Sequence, residues 1–408
     1  MKRKIFVLIL SVAALTIGCD TKPKQKPVVA DDVPTLPEGA IPIMYDGLIY
    51  LEGMVEGVKG NFIFDTGAHN LYLDSTWYAD NSFDNNSFAK GSLPGTGIRR
   101  QEVRLIFDTL EFIIQNHVYK TNIVPIFQLK SICGDISDGI VGKECFRSHV
   151  MEINYTREYM KLHESIDSVN LADYQRIPLT RDDNRLYVPL SVEINDSLTI
   201  DGNFLLDTGA GIGVSLTSVM AKKYRLNNIL TRKTEYFTVQ GGVGGESKSF
   251  SFRAKRIKIG GFQFDDVTMG YSINRTGAMS SDKYAGLLGN KILERFDIII
   301  DLINDDLYLK ANENYGTPFV FPRSGFGYVG RSKTYGSWIV SGIYKDSNAE
   351  KSGLQINDKI IAVDGNKVPE LPFRSLRKYI ENRNDIELTI ERNGETKVFR
   401  FKLEPILQ

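Results

Sequence analysis

The chain has 408 residues, with 50 basic and 50 acidic side chains in balance and hydrophobic residues at 42%. That length exceeds one typical core and suggests two or three domains, in a composition ordinary for a folded soluble protein. With no basic surplus, nucleic-acid binding has no electrostatic support.

Lys2, Arg3 and Lys4 precede an apolar run, Ile5 to Ile17, that is too short to span a bilayer. Thr16-Ile17-Gly18-Cys19 follows, a small residue and a cysteine where a signal peptidase would cut. The stretch resembles a bacterial lipobox, with residues 1–19 a signal peptide and Cys19 the lipidated first residue of the mature chain. A plain secretory signal with an incidental cysteine is the alternative. The resemblance implies a membrane partner through a lipid anchor and a place in the bacterial cell envelope, at the periplasmic face or the outer surface. Residues 20–39 are rich in Lys, Pro and Asp with few large apolar groups, and read as a disordered tether.

Beyond the tether the chain writes one passage twice. Gly60-Asn61-Phe62-Ile63-Phe64-Asp65-Thr66-Gly67-Ala68 returns as Gly202-Asn203-Phe204-Leu205-Leu206-Asp207-Thr208-Gly209-Ala210. Each copy is a buried-strand pattern ending on one carboxylate, fed by a predicted hairpin. Each is followed by an apolar pair and a glycine, Ile140-Val141-Gly142 and Leu287-Leu288-Gly289, and then by matching hairpin tails. Between these markers lie glycine-rich hairpin tips. One runs from Gly91 to Gly97 and includes Gly95; the other is Gly241-Gly242-Val243-Gly244-Gly245. Glycine permits close backbone approach, so Gly95, Gly97, Gly242 and Gly244 are candidate flap residues; an ordinary exposed hairpin is the plainer reading. Two copies this far apart predict duplicated lobes, residues 40–165 and 175–312, and not a solenoid.

An aspartate at the tip of an apolar strand is costly unless it is paired. Two such tips relieve each other by meeting and sharing one proton, because like charges about 3 Å apart cannot both ionise. One carboxylate then takes a proton from water as general base, and the other hydrogen-bonds or protonates a scissile carbonyl as general acid. Thr66 and Thr208 are placed to bond across the lobe interface, while Gly67 and Gly209 let backbone approach without a Cβ.

Here the chain resembles the pepsin and retropepsin superfamily of aspartic peptidases, over roughly residues 40–312. The resemblance implies two homologous acid-protease β-barrel lobes, mainly β, with the active site between them. It also implies Asp65 and Asp207 as catalytic pair and a peptide or protein substrate. Gly142 and Gly289, with the apolar pairs before them, would pack against the two Asp-Thr-Gly turns. Alanine follows in both copies (Ala68 and Ala210), as in retropepsins, where pepsins carry Ser or Thr. The missing hydroxyl predicts a less depressed dyad and activity nearer neutral pH. His69 is read as solvated or packed, and neither tip carries the tyrosine of a pepsin flap.

Residues 315–408 resemble a bacterial-type PDZ domain of α+β class, through Gly325-Phe326-Gly327-Tyr328 as carboxylate-binding loop and the stretch from Ala349 to Val368. PDZ domains hold an extended peptide as an added strand, often by its C-terminus. A blocked groove that only packs or tethers is the alternative. Cys133 and Cys145 are open to two readings, a disulfide or two buried thiols. No cofactor is expected. His69, His117, His149 and His163 are scattered in sequence, so no metal cluster is expected either. Two rival functions stand beside an aspartic endopeptidase: a silent peptide-binding protein that keeps the fold, and an enzyme whose dyad forms between chains of a dimer.

Overall fold

The computed structural model describes residues 35–407 apart from 82, 84–87, 183, 240, 241, 372–378 and 381. The stretch read as a signal peptide with Cys19, most of the stretch read as a tether, and Gly241 therefore lie outside the described residues. Among those described, no helix is long and apolar enough to cross a membrane. The fold is mainly β, two strand-rich lobes followed by a smaller C-terminal segment.

Each lobe is built around its aspartate strand. In the first, Ile49–Val55 and Val58–Asp65 form a hairpin whose turn residues Glu56 and Gly57 both take positive φ, at 49° and 79°. That is the turn whose twist matches paired strands. In the second, Arg185–Asn195 pairs with Leu198–Leu206, Tyr187 opposite Leu205. The apolar-glycine motif then slots in parallel beside the aspartate strand, Gly142 opposite Asp65 and Leu288 opposite Leu206. Side chains alternate along these strands. Phe62, Phe64 and Val141 enter the main core, while Ile63 and Ile140 face the other way into a second cluster. Lobe two repeats this, with Phe204, Leu206 and Leu288 in the main core and Leu205 and Leu287 in a cluster with Tyr187, Met279 and Tyr284.

The tails join the lobes. Val150–Asn154 and Phe296–Asp301 pair antiparallel, Met151 opposite Ile300 and Ile153 opposite Ile298, with Glu152 opposite Ile299 at the centre. Tyr159–His163 and Ile41–Tyr45 extend one side, and Asp306–Ala311 and Gln175–Pro178 the other, giving a six-stranded antiparallel layer shared by both lobes. The two lobes have one core in common, and this layer fixes the position of each aspartate strand relative to the other.

The C-terminal segment has its own core, including Phe326, Trp338, Val340, Ile360, Leu388 and Leu403. Its short helix Asn348–Lys351 is capped by Ser347, whose side chain accepts from the Glu350 amide, and ends at Gly353 with φ 94°. Its sheet is continuous with lobe two, because Thr234–Thr238 pairs with Ser337–Tyr344, Tyr236 opposite Tyr344.

Candidate active site

The two aspartate turns meet through a reciprocal threonine lock. The Thr66 amide donates to Thr208 Oγ1 at 3.0 Å, and the Thr208 amide donates to Thr66 Oγ1 at 3.0 Å. Each hydroxyl then donates across the interface, Thr66 to the Leu206 carbonyl at 2.7 Å and Thr208 to the Phe64 carbonyl at 3.0 Å. Both threonines are fully buried, so all four bonds form away from water, where leaving one unmade is costly.

The lock brings the Asp65 and Asp207 carboxyls of one chain side by side: a Cβ on Gly67 would lie 3.1 Å from an oxygen of each. Asp65 Oδ1 also accepts from the Gly67 amide at 2.7 Å and the Ala68 amide at 3.0 Å; Asp207 is supported by the Gly209 amide. A side chain is crowded at Gly67 and excluded at Gly209. A Cβ on Gly67 would lie 3.1 Å from Asp207 Cγ, and one on Gly209 would lie 2.3 Å from Asp65 Cγ. Gly142 and Gly289 close the turns from behind, since a Cβ there would lie 2.8 Å from the Ala68 carbonyl oxygen or 2.6 Å from that of Ala210.

Burial raises both carboxyls above the usual carboxylate range. For Asp65 the two amides and the charge of Lys143 pull the other way; for Asp207 the Asp65 charge adds to burial and pushes it higher. Both carboxyls are thus held toward the protonated form, and two like charges this close disfavour joint ionisation. The lobes differ behind the turns. Lys143, after the first glycine, is buried with Glu144 Oε1 3.8 Å from its ammonium. Its lobe-two counterpart is the neutral Asn290, whose Nδ2 donates to the Thr208 carbonyl at 2.7 Å and the Gly47 carbonyl at 2.9 Å. Lys143 escapes a sequence reading because a lysine after a strand looks like a solvated end. The charged neighbours of His69 are Glu144 and Lys143, and its side chain is about half exposed.

The glycine-rich tips meet each other. The Gly97 amide donates to the Val243 carbonyl at 3.0 Å, the Arg99 amide to the Gly244 carbonyl at 3.1 Å, and the Ala278 amide to the Gly95 carbonyl at 2.8 Å. A Cβ on Gly242 would strike Thr96 Oγ1. Val243 itself packs on the lobe-one cluster of Tyr50, Ile63 and Ile140, which Ala68 also joins, so the lobe-two tip reaches the wall beside Asp65. Gly91 belongs to the strand Phe88–Leu93 and not to the tip, which begins after Leu93. On the opposite wall the Tyr187 hydroxyl is buried with no hydrogen-bond partner among the described residues. Two clefts of about 530 and 590 Å³ lie along the seam of lobe two with the C-terminal segment, and neither is lined by either aspartate.

One reading left open is decided, and one expectation is corrected. Cys133 and Cys145 are free thiols, because they pack into different clusters, Cys133 with the group around Tyr50 and Cys145 with the main core. Burial pushes the Cys133 thiol up to about 12. Of the four residues read as the carboxylate-binding loop, Gly325 lies in the loop, with φ 76°, and Phe326, Gly327 and Tyr328 open the strand Phe326–Arg331 that follows it. Gly327 accommodates lobe two: a Cβ there would lie 2.3 Å from the Tyr236 hydroxyl. The histidines are not all scattered, since the fold brings His117 and His149 together, ring centroids 4.7 Å apart.

Sequence reading also missed a latch between lobe one and the C-terminal segment. Asp135 accepts from Arg331 Nε at 2.7 Å, from the Lys333 and Thr334 amides at 2.8 and 2.9 Å and from the Thr334 hydroxyl at 2.6 Å. Its own amide donates to the Gly330 carbonyl at 2.9 Å. Burial alone would raise this carboxyl, but these donors outweigh it and hold it below the usual range.

Comparison with known proteins agrees with this geometry. Residues 190–292, which include Asp207, the lobe-two tip and Gly289, match a family model described as aspartyl protease. Residues 339–392 match a PDZ domain model. A search of curated proteins finds no match. The chain is thus similar to aspartyl proteases through its second lobe and to PDZ domains through its C-terminal segment.

Proposed function

We propose that the chain is an aspartic endopeptidase whose water-activating pair is Asp65 and Asp207. The observation that carries this is the threonine lock, which holds the two aspartate turns, and with them both carboxyls, together within one chain. No second chain is needed to complete the pair. Asp65 takes a proton from water as the water oxygen attacks the scissile carbonyl, and Asp207 gives its proton to the carbonyl oxygen. When the tetrahedral intermediate collapses, Asp65 passes its proton to the departing amine and Asp207 recovers its own. The glycine-rich tips act as flaps that part to admit an extended peptide. The direct test is digestion of unfolded polypeptide by the purified chain from about pH 4 to 8, where a general acid and base of this kind operate. Absence of any cleavage across that range would leave a silent binding protein as the better reading.

The PDZ domain supports peptide binding, and in this reading it gates the protease. Two seams couple it to the cleft: Asp135 on Arg331 to Thr334, and the stem of the lobe-two flap on Ser337–Tyr344. Asp135 also bonds Gly330, on the strand to which a peptide C-terminus would add. Asp135→Ala leaves the largely buried Arg331 without its partner, a loss of about 3 kcal/mol for a pair of this kind. Amide exchange should quicken at residues 330–335 and at the flap tip, and turnover should fall with an unchanged pH profile. Faster exchange confined to residues 330–335, with turnover as in the wild type, would reduce the PDZ to a passive tether.

The same reading anchors the chain to an envelope membrane by a lipid on Cys19. Cys19→Ser should move the protein from the detergent-extracted membrane fraction to the soluble one. Retention in the membrane fraction would argue against the anchor.

A further inference from the structure

We propose that His117, His149 and Glu164 form a binding site for a divalent transition metal of the zinc class, separate from the dyad. The ladder places two of them. Val150 pairs with His163, so the next positions outward, His149 and Glu164, face each other across the end of the hairpin. His117 comes from a second hairpin, opening the strand His117–Thr121 opposite Ile114, after a turn in which Gln115 takes φ 48°.

The three side chains offer donor atoms that all lie within 4.8 Å of one another. The imidazoles stand edge to face, with an interplanar angle of 88°. His149 Nδ1 lies 3.2 Å from the Ser148 hydroxyl, which leaves Nε2 directed at Glu164 Oε1, 3.6 Å away. That separation is too long for a good hydrogen bond. The contrast is His163, whose Nε2 sits 2.9 Å from Glu152 Oε2 in a satisfied structural pair.

A zinc ion about 2 Å from each donor needs donors roughly 3.3 Å apart, so closure takes rotamer shifts on the order of 1 Å. Two imidazoles and one carboxylate suit Zn²⁺, Co²⁺ or Ni²⁺, and disfavour Mg²⁺ and Ca²⁺, which prefer all-oxygen shells. The fourth position is open to water, since Glu164 is exposed. Bound metal would staple the His117 hairpin to the edge of the layer shared by the lobes.

The test is titration of the metal-free full chain with Zn²⁺ against a chromophoric chelator, and with Co²⁺ by visible absorption. One equivalent should bind, raise the thermal midpoint and, as Co²⁺, give a four-coordinate spectrum. His149→Ala and Glu164→Gln should each weaken binding by more than about tenfold, while His163→Ala leaves it unchanged. Glu164 is exposed, so Glu164→Gln keeps the test valid if His149→Ala does not fold. No saturable equivalent, or binding untouched by both substitutions, would overturn the site.

Discussion

Asp65→Asn and Asp207→Asn should each reduce cleavage of unfolded polypeptide by about 10³-fold or more, and to the same floor, because residues that act as one proton-sharing unit fail together. Asparagine keeps the shape of each side chain, so the threonine lock, made by Thr66 and Thr208, survives either change. Stability separates lost chemistry from lost fold. Both carboxyls have folded pKa values raised above their unfolded ones, chiefly by burial. Their contribution is fully present below the unfolded value and is lost as pH rises through the folded one. Near neutral pH the Asn variants therefore melt no lower than the wild type, and the comparison improves for them as pH is raised. On the proposed mechanism, activity of the wild type should be bell-shaped in pH, with the acidic limb set by ionisation of Asp65 and the alkaline limb by loss of the Asp207 proton. Lys143→Met removes a cation that favours ionised Asp65. Its acidic limb moves to higher pH while its alkaline limb stays. A variant of either aspartate that keeps wild-type turnover, or melts well below the wild type at every pH, contradicts the paired-carboxyl assignment.

What the sequence made legible was local. The duplicated aspartate strands, the apolar-glycine partners and the hairpin tips all carry turn residues or a period-two pattern within a dozen positions. The pairing of Asp65 with Asp207 could also be argued, because an unpaired buried charge at a strand tip is too expensive to leave alone. Illegible features depended on residues distant in sequence. Asp135 and Lys143 look like surface charges until the C-terminal segment and the dyad are placed beside them. The pairing of Thr234–Thr238 with Ser337–Tyr344 uses backbone groups that any strand offers, so no side-chain pattern announces it. The two cysteines were undecidable for the same reason, as only packing shows that they belong to different clusters. His117 and His149 converge solely because a hairpin tip reaches the end of another ladder.

Thr208→Val tests what holds the dyad together. The change keeps the volume and removes one hydroxyl, leaving the Thr66 amide and the Phe64 carbonyl buried without partners. Each unsatisfied group costs about 1–3 kcal/mol, so the variant should lose about 2–6 kcal/mol. That is a large share of a total stability of about 5–15 kcal/mol. Thr217→Val is the control: it removes a helix cap whose hydroxyl accepts from the Met220 amide, a loss of about 1 kcal/mol. Thr66→Val should match Thr208→Val, since it strands the Thr208 amide and the Leu206 carbonyl in the same way. The four bonds include none between the two hydroxyls, so the double variant should be additive to within about 0.5 kcal/mol if each bond acts alone. A larger loss would show that the bonds strengthen one another as a network. Turnover should fall with each single change even where the protein remains folded, because Gly209 then no longer sits fixed against Asp65. Denaturant unfolding and turnover, measured on the same samples, decide it: singles no less stable than Thr217→Val would mean that the shared six-stranded layer alone positions the two carboxyls.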